Sequence, residues 1–413
     1  MVTLTARGKQ ALDDVVATLA MGQTIPGFAL GATTSKEEIY FNFGGNKIID
    51  NQSSDAVGPD TVFWICSMTK LVAHIAALQL IDQGKLKEET PVSEFFPQFS
   101  NPIILDDVTS PNPSFKPATK VMRVEHLLNF SSGLFYLWTQ DIGVSVPAPY
   151  AGAHDMKDPH SEFLSILQGN FPGIPLQFEP GTNFAYGYGA DILGFIVEKI
   201  TGITLDQYLQ DNVFEPLEMH ASFYLSPGLK EKLLPLTLRT QDGKMHLWNE
   251  QPGTRIIEQD PSKVSRLMGG IGLYVSLRDY LKLLQHILQI LDGTATAPIL
   301  KCETAEALFI GAQNEDGVKS LGLVTGFAFP GHNCQWSTAL AVTMEDWPNR
   351  RKKGTGFWAG WAGTHFFIDP TTGIAAVYGT QIMSYIGGNN DIETLKGLTA
   401  FEETLYTGLD TGN

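Results

Sequence analysis

Apolar residues recur at helical spacing near the start of the chain. Ala11, Leu12, Val15, Val16, Leu19 and Ala20 form one stripe and predict an N-terminal helix. Pro26-Gly27 breaks it, and the runs Phe28 to Thr34 and Glu38 to Phe43 predict a hairpin. Thr61 to Cys66 reads as buried and extended. Leu71, Ile75, Leu78 and Ile81 then mark a helix that Gly84 stops. From Gly84 to about Pro261 the pattern changes to proline-rich loops and short helices, without a convincing strand pair. Inside that stretch Ile192, Leu193, Ile196, Val197 and Ile200 predict a helix from Asp191 to Gly202, and Thr204 to Val213 reads as another. Gly269-Gly270-Ile271-Gly272 makes a turn ahead of a helix over Leu277 to Leu291. Strands follow at Thr338 to Met344, Thr364 to Ile368 and Ile374 to Thr380, and a helix over Ile392 to Tyr406 closes the pattern.

Helix and hairpin at the front, with strands and helix at the back, predict one mixed α/β sheet domain completed by both ends of the chain. Its expected parts are residues 1–84 and 262–413, with a mostly helical insert over 85–261 and a cleft between the two.

Composition narrows the function classes. The 413 residues are 43% hydrophobic and 17% charged, an ordinary globular balance. The formal charge of −16 argues against nucleic acid or an anionic membrane face as partner. No apolar run reaches membrane-spanning length, and Met1 to Arg7 leads into an amphipathic segment rather than a signal sequence. Cys66, Cys302 and Cys334 are odd in number and scattered, so reduced thiols and a cytoplasmic location are expected. His154-Asp155 with His160 has the spacing of a surface loop, and neither a metal nor a cofactor is expected. His126 and His365 read as hydrogen-bonded structural histidines.

The candidate chemistry begins with Ser67-Met68-Thr69-Lys70, the only Ser-x-x-Lys tetrad in the chain. A serine at a helix start has a lysine one turn deeper on the same face. Its own N–H is among the free donors of the helix terminus, so nucleophile, candidate base and half an oxyanion hole arise together. A bland helix start gives the same letters. Cys66 beside it reads as a small buried residue.

Two further segments could complete the site. In Glu179-Pro180-Gly181-Thr182-Asn183-Phe184-Ala185-Tyr186-Gly187-Tyr188, a Pro- and Gly-held loop can present Tyr186 rigidly; a phenol titrates near ~10, and a neighbouring ammonium favours its phenolate. Taken alone, a tyrosine in such a loop reads first as a packing residue. In Gly356-Phe357-Trp358-Ala359-Gly360-Trp361-Ala362-Gly363, small residues let a backbone approach a ligand between indole walls, and an edge N–H could be the second oxyanion donor. The alternative is a glycine-rich hairpin beneath packed indoles.

Together and in this order these segments resemble the class C β-lactamase-like serine hydrolases. That group includes penicillin-binding esterases, D-aminopeptidases and fungal transesterases of the lovastatin-acyltransferase type. The likeness extends to Val124-Glu125-His126-Leu127-Leu128-Asn129-Phe130-Ser131-Ser132-Gly133-Leu134, to Leu193 through Gly202, to Gly269 through Leu273, and to Phe214-Glu215-Pro216-Leu217-Glu218-Met219, where Glu218 stands in a usual glycine's place. It covers roughly residues 10 to 405, and Asn349 through Gly354 looks most like the fungal transesterase branch.

The resemblance implies a β-lactamase/transpeptidase-like fold, an antiparallel sheet flanked by helices with a helical domain inserted. It implies Ser67 as the acylated nucleophile, Lys70 as its proton partner and Tyr186 as shared general base and acid. The N–H groups of Ser67 and Trp361 would form the oxyanion hole. Tyr188 falls where many members have Asn, which puts a substrate amide contact there in doubt. Trp358-Ala359-Gly360 takes the Lys-Thr-Gly position of true β-lactamases, losing the cation that would hold a β-lactam carboxylate.

Tyr188, Trp358, Gly360, Trp361, Phe135 and Trp138 are the expected substrate contacts, together with Tyr136 as a neighbouring aromatic. The expected activity is a serine esterase or transesterase on an ester or thioester of a bulky apolar or polyketide-like compound. The donor could be an acyl-carrier thioester, and no nucleic acid or membrane is involved. A β-lactamase or D-Ala carboxypeptidase, or a catalytically silent binding protein on the same scaffold, are the competing readings. Arg350 to Lys353 reads as a solvated loop, or as a basic patch for an anionic carrier.

Overall fold

The computed structural model describes residues 2–49, 55–136, 148–151, 157–248, 257–326, 329–384 and 391–411. Its main element is a seven-stranded antiparallel sheet. In spatial order the strands are Cys334–Trp336, Ala341–Thr343, Gly356–Gly360, Thr364–Asp369, Ile374–Gly379, Gly27–Thr34 and Glu38–Gly45. The two halves of the sequence join where Gly27–Thr34 pairs with Ile374–Gly379, Thr34 opposite Ile374 and Ala29 opposite Gly379.

Helices cover the sheet on both faces, which is why its central strands are apolar throughout instead of alternating. Phe28, Leu30, Ala32, Phe367 and Ala376 pack into a core with Leu12, Leu398 and Phe401 of the helices Ala6–Met21 and Ile392–Gly408. The intervening Ala29, Phe366, Ile368, Ala375 and Val377 face a second core with Leu277, Leu281 and Leu284 of the Leu277–Leu291 helix. One strand thus supplies both cores through its two-residue period.

The helix Thr69–Asp82 is apolar all round and lies inside the larger core, every residue from Thr69 to Leu80 buried. Beside it runs Gly189–Thr201, which Gly202 ends in a left-handed conformation (φ 73°). Ser67 was expected on the first α-helical turn. It sits instead in a 3₁₀ turn, Cys66–Met68, directly before that helix.

The stretch after Gly84 is less purely helical than its composition implied. Ile103–Leu105 pairs with Phe115–Pro117 and with Pro175–Leu176, and Thr237–Arg239 pairs with Met245–Leu247. Runs of two or three residues are too short to show periodicity. Helix Leu205–Leu209 continues as a π-helical turn, Gln210–Phe214, which closes in a reverse turn with Glu218 at φ 52°. Met219 N–H bonds to Phe214 O (2.8 Å) and Glu218 N–H to Glu215 O (3.0 Å), the pattern that favours glycine at the left-handed position.

The basic run is another departure. Arg351 is 1% exposed and donates to Glu402, itself fully buried, at 2.7 Å, while Arg350 donates to the same carboxylate. The Arg351 guanidinium lies 4.8–5.0 Å from the ring centres of Phe329, Trp347, Phe357 and Phe367. Arg351 is therefore a core residue and Arg350, half-buried, is tied to the same carboxylate, so neither guanidinium is a free surface cation. Among the described residues no helix is long and apolar enough to cross a membrane, no His, Cys, Asp and Glu group is arranged to hold a metal, and the three cysteines are free thiols.

Candidate active site

The turn bearing Ser67 is held from four directions. Gln381 spans the Trp64 backbone with its side-chain amide, accepting from the Trp64 N–H (3.1 Å) and donating to the Trp64 carbonyl (3.0 Å). That is what a neighbouring strand would do, done by one residue at φ 66°. Ile65 N–H donates to Leu273 O at 3.1 Å. Thr364 Oγ1 donates to Ile65 O at 3.2 Å, and Tyr280 OH to Met68 O at 3.0 Å. Cys66 is forced to φ 48°, a left-handed conformation that costs about 1–3 kcal/mol in a non-glycine residue and recurs at functional turns.

Lys70 is 1% exposed, and its Nζ donates to Ser67 Oγ at 3.2 Å and to Gly270 O at 2.8 Å. The same nitrogen faces the rings of Tyr186 (4.7 Å to the centre) and Tyr136 (5.6 Å). Tyr186 thus joins the tetrad from 116 positions away in the chain. Its phenol oxygen accepts a hydrogen bond from Trp358 Nε1 at 2.9 Å, and the two rings lie 5.1 Å apart.

Gly360 ends its strand against the turn, and a Cβ there would collide with the Ile65 carbonyl. The main-chain N–H groups of Ala362 and Trp361 reach the Cys66 sulfur. Burial nevertheless pushes the Cys66 thiol up to about 12, so it is an inert packing residue and no rival nucleophile. The Trp361 indole turns away to meet Trp64 and Trp248 edge-on at 6.4 and 6.2 Å.

A cavity of about 590 Å³ opens beside Tyr186, walled by Tyr136, Phe135, Phe178 and Phe184, with Leu323 and Val324 at its rim. Phe135 lines it as a substrate contact would. Tyr188 does not; it is 2% exposed, its ring packed on Tyr136, Tyr150 and Phe163, so it braces the wall from behind. Trp138 lies outside the described residues, as do His154 and Asp155, while His160 pairs with Glu198 at 2.6 Å. His365 is buried without a hydrogen-bond partner, contrary to the satisfied role expected for it, and burial pushes it down to about 3. His126 does bond, accepting from the Arg123 N–H at 3.1 Å.

Sequence reasoning passed over Gln381, Thr364, Tyr280 and Asp191. Each acts on the site through backbone or through a buried network, and no local pattern marks such residues.

The beta-lactamase family profile matches residues 12–400. A lovastatin esterase from Penicillium rubens is 30% identical over 236 residues, 55% of this chain and 55% of its own length. ML-236A carboxylate methylbutanoyltransferase from Penicillium citrinum is 24% identical over 403 residues, 93% of this chain and 90% of that protein. In several curated relatives at 27–30% identity the match spans only 55–60% of the relative's length. Unliganded simvastatin synthase from Aspergillus terreus superposes with a TM-score of 0.79 at 21% identity, covering 98% of this chain and 99% of that one.

Proposed function

This chain belongs to the beta-lactamase family, and from that premise we propose that it is a serine esterase or acyltransferase working through an acyl-enzyme on Ser67. One observation carries the reading: Lys70 Nζ donates to Ser67 Oγ at 3.2 Å while lying over the Tyr186 ring, so the hydroxyl and the amine touch against the face of the tyrosine whose oxygen is held by Trp358.

Ser67 Oγ attacks the ester or thioester carbonyl, and its proton passes to the Lys70–Tyr186 unit. The Ser67 N–H is one oxyanion donor and the Trp361 N–H the second, the latter exchanging the weak acceptor Cys66 sulfur for the oxyanion; loss of one such donor typically costs ~10²–10³ in rate. As the C–O or C–S bond breaks, Tyr186 returns the proton to the leaving alcohol or thiol. It then takes a proton from the water or alcohol that attacks the acyl-enzyme, and gives it back to Ser67 Oγ as the bond from that oxygen to the acyl carbon breaks. The Trp358 indole, donating to the phenol oxygen, stabilises negative charge there each time the proton leaves.

The acyl group or its ester partner is bulky and apolar, in keeping with the aromatic wall of the cavity beside Tyr186. The names of two fungal relatives, a lovastatin esterase and an ML-236A carboxylate methylbutanoyltransferase, support ester or acyl-transfer chemistry. Trp358, standing where a β-lactamase keeps lysine, offers no cation to a β-lactam carboxylate. Ser67 and Trp358 come from the proposed sheet domain (1–84 with 262–413) and Tyr186 from the proposed insert (85–261), so the reaction takes place in the cleft between them.

The test is intact mass after incubation with a fluorophosphonate and with a panel of p-nitrophenyl esters and acyl thioesters. The expected result is one adduct per chain on Ser67, absent in Ser67→Ala, with a decay that alcohols accelerate if transfer dominates. No adduct on the intact protein, or one retained in Ser67→Ala, overturns the reading.

A further inference from the structure

A fully buried carboxylate lies one residue away from the reacting groups. Asp191 sits in the first turn of helix Gly189–Thr201. Its Oδ2 accepts from Tyr150 OH at 2.8 Å, and the Tyr150 oxygen lies 2.6 Å from Tyr136 OH. Its Oδ1 accepts from the Gly270 N–H at 2.9 Å. The carbonyl of that same Gly270 accepts from Lys70 Nζ at 2.8 Å. Gly270 therefore couples the carboxylate on one side to the ammonium on the other, and a side chain there would collide with Asp191 and Tyr150.

An ammonium in a dry site needs a negative charge to balance it. A carboxylate in direct contact would lock the amine in an ion pair, whereas one placed across a peptide balances the charge and leaves Nζ free to serve Ser67. The groups facing Asp191 are Lys70 from the Thr69–Asp82 helix, Tyr150 from Ala148–Ala151, Tyr136 from the loop after Gly133, and Tyr188 just before its own helix. Burial raises Asp191 to about 6, with Lys70, the Gly270 N–H and Tyr150 pulling the other way.

We propose that Asp191 is a positioning residue for Lys70: through Gly270 it orients the carbonyl that holds the amine against Ser67, and it supplies the charge that balances that amine. This rests on the Ser67 reading above.

The experiment compares wild type, Asp191→Asn and Tyr150→Phe by pH–rate profile and by ¹³Cε NMR titration of Lys70, assigned with Lys70→Arg. In Asp191→Asn, kcat falls about 10- to 100-fold with KM within about threefold. Removing the nearby negative charge displaces its Lys70 ¹³Cε titration curve to lower pH than in wild type. Tyr150→Phe keeps the charge but removes a donor from it, so the acid limb of its profile moves to higher pH; this variant carries the test should Asp191→Asn not fold. Folded variants with wild-type profiles and an unmoved Lys70 titration overturn the proposal, even with turnover intact. A moved titration in a protein without turnover sustains Asp191's role and overturns the esterase reading instead.

Discussion

Trp358 packs on the Tyr186 ring at 5.1 Å and holds its phenol, its Nε1 donating at 2.9 Å. Trp358→Phe keeps an aromatic ring against Tyr186 and removes the donor. The expected outcome is a loss of about tenfold in kcat/KM toward p-nitrophenyl butyrate, mostly in kcat, since one hydrogen bond of this kind is worth about 1–2 kcal/mol. An unchanged kcat would mean that the indole only fills space. The letters of the chain were informative at this scale where a residue acts by its own chemistry. That Ser67, Lys70 and Tyr186 would come together was legible, because a serine, a lysine and a tyrosine stand in ordered motifs. Asp191 and Gln381 were silent, because each works by bonding to backbone that only the folded chain brings near. Tyr188 was misread for a related reason: from its loop alone a tyrosine facing the substrate and one bracing the wall look identical.

Among the elements, the reverse turn after Gln210–Phe214 carries its own strain. Glu218 holds φ 52° in a place where a glycine would pay no Cβ penalty. Glu218→Gly should raise stability by about 1 kcal/mol, read as a higher denaturant midpoint with the same slope, and leave ester turnover unchanged. A fall in stability would show that the Glu218 side chain makes a compensating contact. The departure from the family's glycine was visible in the sequence; its backbone meaning was not. Long elements were readable from their period, as with Leu277–Leu291, whose bounds are those expected. Short strands such as Ile103–Leu105 were not, since three residues carry no period and their pairing partners lie far along the chain.

At the scale of the whole molecule, burial rather than surface charge sets the response to acid. Burial pushes His74 and His126 down to about 4 and His365 to about 3. Unfolded, each histidine titrates near ~6.5, so between that pH and the folded value the unfolded chain binds protons that the native one refuses. Stability therefore falls as pH drops through this window, by up to about 1.4 kcal/mol per pH unit for each histidine. Asp191 works against the trend: raised to about 6, it takes a proton in the native state first and offsets part of the loss below that pH. Unfolding free energies from denaturant titrations at pH 7.5 and 5 should differ by a few kcal/mol in favour of pH 7.5; equal values would mean these histidines are hydrated. The seven-stranded sheet was foreseeable as a union of both ends of the chain, though not its order, because strands buried on both faces show no alternation from which to read a neighbour.

That union sets a timetable for synthesis. Thr34 finds its partner in Ile374, 340 positions later. At ~5–20 residues per second, the ribosome needs roughly 20–70 s to deliver the second strand after the first has emerged. Throughout that wait the apolar edge of Gly27–Thr34 has no proper neighbour, so in a crowded cell it is the segment for a chaperone to guard.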